Sequence, residues 1–305
     1  MVGSSHLPRF FVVLVATLAL ANASGGSARA DSERAPSGRI VFVRGEHLYV
    51  TTVDGRKVRR LTQHATSPAV SRDGRRIAFV RDKSIWVMRS DGSGQARLTS
   101  GHEDWTPAWS PDGSTIYFSR LVEGRDKLGS YAFSQPLFRM QADGSALRQL
   151  TRPRPWDHGV CDESPAASPD GRVVAYASFG ECDRGYDVGI DAIDPEGKRV
   201  ELSAYEAVRF GFDPAWAPVG KRIAFATTGD FEQTTGIAVA APGSKATRIY
   251  RRAATDPAWA SDGSWIAFVR GVGRGTIWLV RSDGSGLRRL SSRRYDADPA
   301  WLPVG

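Results

Sequence analysis

Short apolar runs recur along the chain, and each is bounded by a turn rich in Pro, Asp or Gly. Five of them directly follow a turn of the form Ser/Ala-x-x-Gly and read RIAFV, TIYFS, VVAYAS, RIAFAT and WIAFVR. No long stretch repeats its apolar residues at the 3.6-residue spacing of a helix. The pattern predicts an all-β protein of short strands joined by tight turns, with almost no helix.

The runs belong to a repeat that begins with a proline, at intervals of 39, 58, 49, 43 and 42 residues. This proline stands at Pro68, Pro107, Pro165, Pro214, Pro257 and Pro299. Each unit then holds two apolar runs, a second turn such as SDGSG, and a segment such as RRLT. The unit therefore offers four strands, named a, b, c and d in chain order. Four-stranded units at this spacing are typical of a β-propeller.

The two ends of the repeat region complement each other. The last unit contains only strand a, at 299–303, whereas the first begins with strand b, at 38–43. We expect both to share one blade, because an open ring would expose unpaired strand edges. The sequence thus predicts six antiparallel blades over residues 38–305, closed by strands from both termini. Four a strands carry a tryptophan that we expect to pack between blades: Trp109, Trp216, Trp259 and Trp301.

The repeated "PxWSPDGxxIaF … DGs…LT" motif resembles that of the TolB-like six-bladed propellers, and the resemblance covers 38–305. It implies a scaffold that binds other proteins and, less often, an enzyme. Enzymes with related propellers often add a hydrolase domain, and none is recognisable in this sequence.

The first 30 residues differ from the rest. Arg9 precedes a 12-residue apolar stretch at 10–21, too short to cross a bilayer, and Ala-x-Ala patterns follow. Residues 1–30 are interpreted as a signal peptide, with a retained anchor as the alternative, and 31–37 as a linker. The sequence thus predicts a secreted or periplasmic protein with no stable membrane span.

Charge adds little to this picture. The formal net charge is +8; residues 1–30 hold two Arg and no acid, so the remainder carries +6. The basic residues are scattered rather than collected in a stripe, which does not favour nucleic acid as a partner.

Strand direction alternates within a blade, so connections sort between two faces. The a–b and c–d turns lie on one face of the ring, called the tight-turn face. The b–c and d–a connections lie on the opposite face, called the irregular-loop face. Long irregular loops, such as 121–134, belong to the second. Since binding residues tend to lie on loops held by a rigid scaffold, we expect binding there.

The irregular-loop face collects aromatic and charged residues that suit a protein contact or, alternatively, a polysaccharide. The predicted binding residues are His102, Asp104, Trp105, Trp156, Asp157, His158, Tyr205, Phe210, Tyr295 and Asp296. Packing between blades is an equal alternative for Trp105 and Trp156. Asp213, Asp256 and Asp298, each before a repeat proline, are interpreted as turn residues that bond backbone amides.

Catalytic motifs are scarce. Neither a G-x-S-x-G elbow nor an HExxH motif occurs. The strongest enzyme hypothesis places His102, Asp104, Asp157 and His158 around a metal at the channel mouth, for hydrolase or lyase chemistry. The favoured prediction is an exported, monomeric, non-catalytic propeller that binds a protein partner and needs no cofactor.

The two cysteines fall beside one hairpin. Cys161 lies in a d–a loop and Cys182 in the b–c loop of the same blade, nearly opposite each other across the hairpin's mouth. Export permits a disulfide, and two cysteines alone make a weak metal site. We therefore predict a structural disulfide between them.

Overall fold

The computed structural model describes residues 35–125, 131–152, 161–179, 188–202, 211–228, 234–271, 275–292 and 295–303. Throughout these ranges the only regular elements are β-strands. They belong to one compact unit, Ala35–Gly305. No helix in the described part of the chain is long and apolar enough to cross a membrane.

Among the described residues, six antiparallel sheets form the blades, which confirms the predicted six-bladed propeller, and a seventh, two-stranded sheet lies outside them. The strands of each blade are named in order from the axis outward. Blade 1 contains β25 (Asp296–Leu302), β1 (Arg39–Arg44), β2 (His47–Thr52) and β3 (Val58–Gln63). Blade 2 contains β4 (Thr66–Val70), β5 (Arg76–Arg81), β6 (Ser84–Arg89) and β7 (Ala96–Arg97). Blade 3 contains β8 (Asp104–Trp109), β9 (Thr115–Arg120), β12 (Leu137–Gln141) and β13 (Arg148–Gln149).

The second half of the ring repeats this plan. Blade 4 contains β14 (Cys161–Ala167), β15 (Val174–Phe179) and β16 (Gly189–Ile193). Blade 5 contains β17 (Gly211–Trp216), β18 (Ile223–Thr228), β19 (Thr234–Ala240) and β20 (Thr247–Tyr250). Blade 6 contains β21 (Ala254–Trp259), β22 (Trp265–Arg270), β23 (Thr276–Arg281) and β24 (Arg288–Arg289).

Blade 1 joins the two ends of the repeat region, as predicted. β25 is its innermost strand and pairs antiparallel with β1, so that Ile40 lies opposite Trp301 and Val41 opposite Ala300. The ring is therefore closed by backbone hydrogen bonds between segments more than 250 residues apart in sequence. No inner strand is left without a partner at this junction.

Two blades depart from the predicted plan. In the described residues blade 4 has three strands, and only an isolated bridge between Ile193 and Arg199 stands at its outer position. The outer strands of blades 2, 3 and 6 have only two residues each, and losing one pair from such a strand leaves a bridge. In blade 3 the expected irregular loop 121–134 instead contains a hairpin, β10 (Val122–Arg125) paired with β11 (Tyr131–Ser134).

The core lies within and between the sheets. Strand b is apolar in every blade, and in five blades it contributes a fully buried Phe: Phe42, Phe79, Phe118, Phe225 and Phe268. The predicted inter-blade role of the tryptophans is confirmed for Trp109 and Trp259, whose indole N–H groups bond Ala69 O and Ala215 O on the preceding blade at 3.0 and 2.9 Å. These bonds fix each blade against its neighbour.

Candidate functional site

Each innermost strand contains a β-bulge at the residue before the repeat proline. That residue has a positive φ, between 45° and 54°, in all six blades. Left-handed backbone is uncommon outside glycine, so six recurrences mark a built-in feature of this fold. The six residues, called the axial ring below, are Ser67, Thr106, Ser164, Asp213, Asp256 and Asp298.

The axial ring lines the central channel. Its six members are half-buried, whereas the proline after each is buried. Around the axis, the three aspartates occupy consecutive blades 5, 6 and 1, and the three hydroxyl residues occupy blades 2, 3 and 4. The channel is therefore acidic on one half of its wall and neutral on the other.

Hydrogen bonds tie neighbouring members of the axial ring together. Asp298 Oδ2 accepts the Ser67 N–H at 3.0 Å, and Asp213 Oδ2 accepts the Asp256 N–H at 3.3 Å. Ser164 Oγ also donates to Asp213 Oδ1 at 3.1 Å. The predicted turn position of these aspartates is wrong, since they lie in strands. Asp213 and Asp298 do bond backbone amides, as predicted, but the amides belong to the next blade. Their side chains thus link blades around the channel.

Burial and, after it, crowding of the carboxylates shift their pKa values. Burial, followed by repulsion from Asp298, raises the pKa of Asp213 to about 6, although hydrogen bonds from Asp256 and Ser164 oppose this. Burial and then repulsion from Asp213 and Asp298 raise the pKa of Asp256 well above its ordinary value. Burial, Asp213 and Asp162 likewise raise the pKa of Glu163. Near neutral pH the acidic half of the ring therefore destabilises the fold.

The Asp256→Asn variant is expected to be more stable than the wild type by about 1–2 kcal/mol at pH 7.5 and equal to it at about pH 3, below the pKa of an unfolded aspartate. A carboxyl with a raised folded-state pKa holds a proton that the unfolded chain has released. Stability therefore falls as the pH rises from about 4 through the raised folded-state pKa values, which are about 6 for Asp213 and well above the ordinary value for Asp256. Asparagine removes part of that fall. Asparagine still offers an oxygen to Thr255 Oγ, which donates to Asp256 at 2.8 Å.

Urea unfolding of both proteins at the two pH values measures this effect. The control is Asp82→Asn, which removes the same charge from an exposed turn. A variant that is less stable at pH 7.5 and keeps the wild-type pH slope would show that the ring carboxylates do not repel one another.

Arg72 closes the axis at the tight-turn face. It occupies the a–b turn of blade 2, where four other blades have proline: Pro111, Pro169, Pro218 and Pro303. Its guanidinium crosses the ring and donates to Pro169 O on blade 4 at 3.0 Å and to Pro218 O on blade 5 at 2.9 Å. Because blade 5 is diametrically opposite blade 2, this side chain spans the channel mouth.

The predicted residues His102, Asp104 and Trp105 lie at the start of blade 3 but differ in exposure. His102 is exposed, and Trp105 is half-buried against the core between blades 2 and 3. Asp104 is completely buried, and Arg120 binds both its oxygens at 2.6 and 3.0 Å. A binding role for Asp104 stays a prediction that would require Arg120 to be displaced.

Tyr295 and Asp296 are adjacent in sequence but face different surroundings. Tyr295 is 66% exposed on the irregular-loop face. Asp296 is fully buried and accepts two hydrogen bonds from Arg44, at 2.7 and 2.9 Å. The other predicted binding residues lie outside the described part of the chain: Trp156, Asp157, His158, Tyr205 and Phe210.

The metal hypothesis has only two of its four residues in the described ranges, His102 and Asp104. Within those ranges no group of three or more His, Cys, Asp or Glu side chains is placed to hold a metal ion. Of the two cysteines, Cys161 is buried at the start of β14, and Cys182 lies outside the described residues.

The axial ring and the position of Arg72 across the channel mouth were not predicted from the sequence. The available signal was the residue before each repeat proline, which is Ser, Thr or Asp in all six units. For Arg72 the signal was a comparison between units, because the equivalent turn position of every other unit is Pro or Ser. Both become functional candidates only once the inner strands are arranged around an axis.

Fold and site together define a six-bladed propeller with an acidic channel, closed by an arginine at one mouth and carrying varied loops at the other. The chain belongs to the TolB beta propeller domain family, whose model matches residues 39–200.

Three proteins are similar to this chain in sequence or in fold. Uncharacterized protein Atu1656 of Agrobacterium fabrum is 28% identical over 138 residues, covering 43% of this chain and 42% of that protein. Uncharacterized peptidase YuxL of Bacillus subtilis is 28% identical over 179 residues, covering 56% of this chain and 23% of YuxL. The chain thus spans under half the length of either relative. A solved structure of a TolB-like protein from Agrobacterium tumefaciens shares the fold, with a TM-score of 0.62, 19% identity, and coverage of 87% of this chain and 92% of that one.

Proposed function

We propose that this protein is an exported, non-catalytic propeller that binds a protein partner through its irregular-loop face. The observation that carries the proposal is the asymmetry of the two channel mouths. At the tight-turn face, Arg72 crosses the axis between short, regular turns. A partner that reaches the axial ring must therefore approach from the other face.

The irregular-loop face also varies from blade to blade, as a recognition surface requires. The β10–β11 hairpin extends blade 3, whereas blades 1 and 2 have two-residue turns with positive φ at Gly45-Glu46 and Asp82-Lys83. Tyr295 and His102 are exposed there. Exposed tyrosine is enriched among the residues that dominate protein interfaces.

The cell envelope, or the space outside the cell, is the proposed site of action. It rests on the signal-peptide interpretation of residues 1–30 and on membership of the TolB beta propeller family. A polysaccharide is the alternative ligand, and glycan-array binding by the purified protein separates it from a protein partner.

Affinity capture from native envelope extract tests the proposal. We expect the wild-type protein to retain a specific protein, and the double variant Trp156→Ala/Tyr295→Ala to lose at least 90% of it without losing its cooperative unfolding transition. The matched control is Leu147→Ala, at an exposed apolar residue beside the c–d turn on the opposite face. If the double variant still retains the partner and the Leu147→Ala control loses it, the partner binds the tight-turn face and the proposal is wrong.

We also propose the Cys161–Cys182 disulfide. Cys161 lies opposite Phe179 in the β14–β15 register, only three residues before Cys182. A bridge there would fasten the loop to the base of its hairpin. Thiol alkylation before and after reduction tests it, and two reactive thiols in the native protein would disprove it.

A catalytic role is the second candidate, because YuxL is named a peptidase and the matched segment makes up 23% of it. Metal analysis of purified protein addresses the metal-assisted form of this role. Stoichiometric metal that is lost in a His102→Ala/His158→Ala variant would favour the enzyme over the binding protein.

A further inference from the structure

Four blades place an arginine at the end of strand b. It stacks on aromatic rings of strands b and c in blades 1, 2 and 3, and on a ring of strand c in blade 6. In blade 2 this is Arg81, whose guanidinium carbon lies 5.1 Å from the Phe79 ring centre and 5.0 Å from that of Trp86. The equivalents are Arg44, Arg120 and Arg270. Stacking of this kind holds the guanidinium plane in a fixed orientation.

In blades 1 and 3 the stacked arginine forms an ion pair with an aspartate of the same blade. The acid stands two residues before the axial-ring member, so Asp296 binds Arg44 and Asp104 binds Arg120. In blade 2 the same position is Ala65. The backbone there is equivalent, because the amide of Ala65 bonds the b–c turn of the preceding blade at 2.8 Å, as that of Asp104 does at 2.9 Å.

Lacking that aspartate, Arg81 turns toward the outer strand of blade 1. It donates to Gln63 O at 3.2 and 3.0 Å, to Gln95 Oε1 at 2.9 Å, and to the Thr62 hydroxyl. All these partners are neutral. Burial lowers the pKa of Arg81, although the charge of Asp82 opposes this, whereas the hydrogen bond that Arg44 donates to Asp296 raises the pKa of Arg44. Arg81 is thus a half-buried cation with no carboxylate among these hydrogen-bond partners, and Asp82, the next residue, acts on it only through its charge.

Arg81 lines a groove of about 650 Å³ on the irregular-loop face, between β3 and the b–c turn of blade 2. A second cation, Arg60, is exposed there, and no ion pair joins it among the described residues. Asp82 is the single acid in the lining. The amide side chains of Gln63 and Gln95 complete the polar wall, and the lining residues include no aromatic ring other than the His64 imidazole.

We propose that this groove binds an acidic peptide segment, with a ligand carboxylate between Arg81 and Arg60 in place of the aspartate found in blades 1 and 3. Paired arginines are the usual means of recognising carboxylates. Glutamine side chains suit the peptide backbone, since each both donates and accepts hydrogen bonds. Without a Trp, Tyr or Phe ring on which a sugar would stack, the groove favours a peptide over a polysaccharide. Blade 6 also has an alanine, Ala254, opposite Arg270, but residues 272–274 beside it lie outside the described ranges.

The inference rests on the proposed function for the choice of face, and it names the chemistry of the partner. The test uses an acetylated hexaglutamate peptide and, as a neutral match, hexaglutamine, titrated into the full chain by calorimetry at low salt. It does not depend on capture of a native partner. If capture fails but hexaglutamate binds, the proposed function is wrong and the groove proposal stands. If capture succeeds but hexaglutamate does not bind, the groove proposal is wrong.

The decisive variant is Ala65→Asp, which supplies Arg81 with the internal carboxylate that the neighbouring blades have. We expect it to fold and to bind hexaglutamate at least tenfold more weakly than the wild type, as Arg81→Gln should. The control Arg75→Gln removes one charge at the tight-turn face and should stay within twofold of the wild type. Should both groove variants fail to fold, Arg60→Gln, at an exposed residue, provides the same test.

Three results would overturn the proposal. One is a folded Ala65→Asp protein that binds hexaglutamate as the wild type does. Another is an equal loss in Arg75→Gln, which would mean a diffuse charge effect. The third is binding of polygalacturonate through Arg81 without binding of hexaglutamate, which would assign the groove to an acidic polysaccharide.

Discussion

Replacing Asp104 with alanine is expected to lower the free energy of unfolding by about 3–5 kcal/mol. The Asp104 side chain is completely buried, and that of Arg120 is 6% exposed. Arg120 lies over the rings of Phe118 and Phe138, at 5.3 and 4.9 Å, and cannot reach water without leaving them. Removing the carboxylate therefore leaves a buried charge without its counterion.

Urea unfolding followed by tryptophan fluorescence measures this loss. The neighbouring residue supplies a matched control, because Glu103 forms an ion pair with Lys83 in which both side chains are at least one-third exposed. Glu103→Ala should cost no more than about 1 kcal/mol. The double variant Asp104→Leu/Arg120→Met should recover most of the stability, since apolar side chains of similar volume replace a buried pair well. A loss below about 1 kcal/mol for Asp104→Ala would mean that Arg120 finds another partner or water.

The fold could be predicted from the sequence because the same pattern of turns and apolar strands recurs in each unit. Turns such as Ser71 to Gly74 recur with a Gly whose φ is positive, and apolar strands follow them at a fixed offset. The orphan strand b at 38–43 and the lone strand a at 299–303 then required one composite blade. The hairpin β10–β11 was not predicted, because its strands are short and carry Glu123, Gly124 and Arg125.

The site was predicted far less well, because its residues meet through the ring and not along the chain. Asp213 and Asp256 lie at β-bulges of inner strands, whereas the sequence pattern predicted turns there. Arg72 contacts residues 97 and 146 positions away, on other blades. The groove around Arg81 depends on an alanine standing where two other blades have an aspartate. A comparison between blades reveals it once the register is known.

A disulfide between residues 41 and 300 should stabilise the protein by up to about 5 kcal/mol relative to its reduced form. Val41 and Ala300 are directly opposite in the β1–β25 pair and lie in one buried cluster. Residues opposite each other in antiparallel strands have Cα atoms about 4.5–5.5 Å apart, within the range that a disulfide spans. The bond would close a loop of nearly the whole propeller, and long loops give the largest entropic gain.

The most direct test of the closed ring is therefore non-reducing peptide mapping of the oxidised Val41→Cys/Ala300→Cys variant. We expect a peptide that joins positions 41 and 300 in the folded protein. In the control Val41→Cys/Ala258→Cys, whose second site is the equivalent position of blade 6, we expect no peptide that joins 41 and 258. Folded, oxidised protein that retains free thiols at 41 and 300, or that links 41 to 258 equally well, would contradict the sealing of the propeller by its two terminal strands.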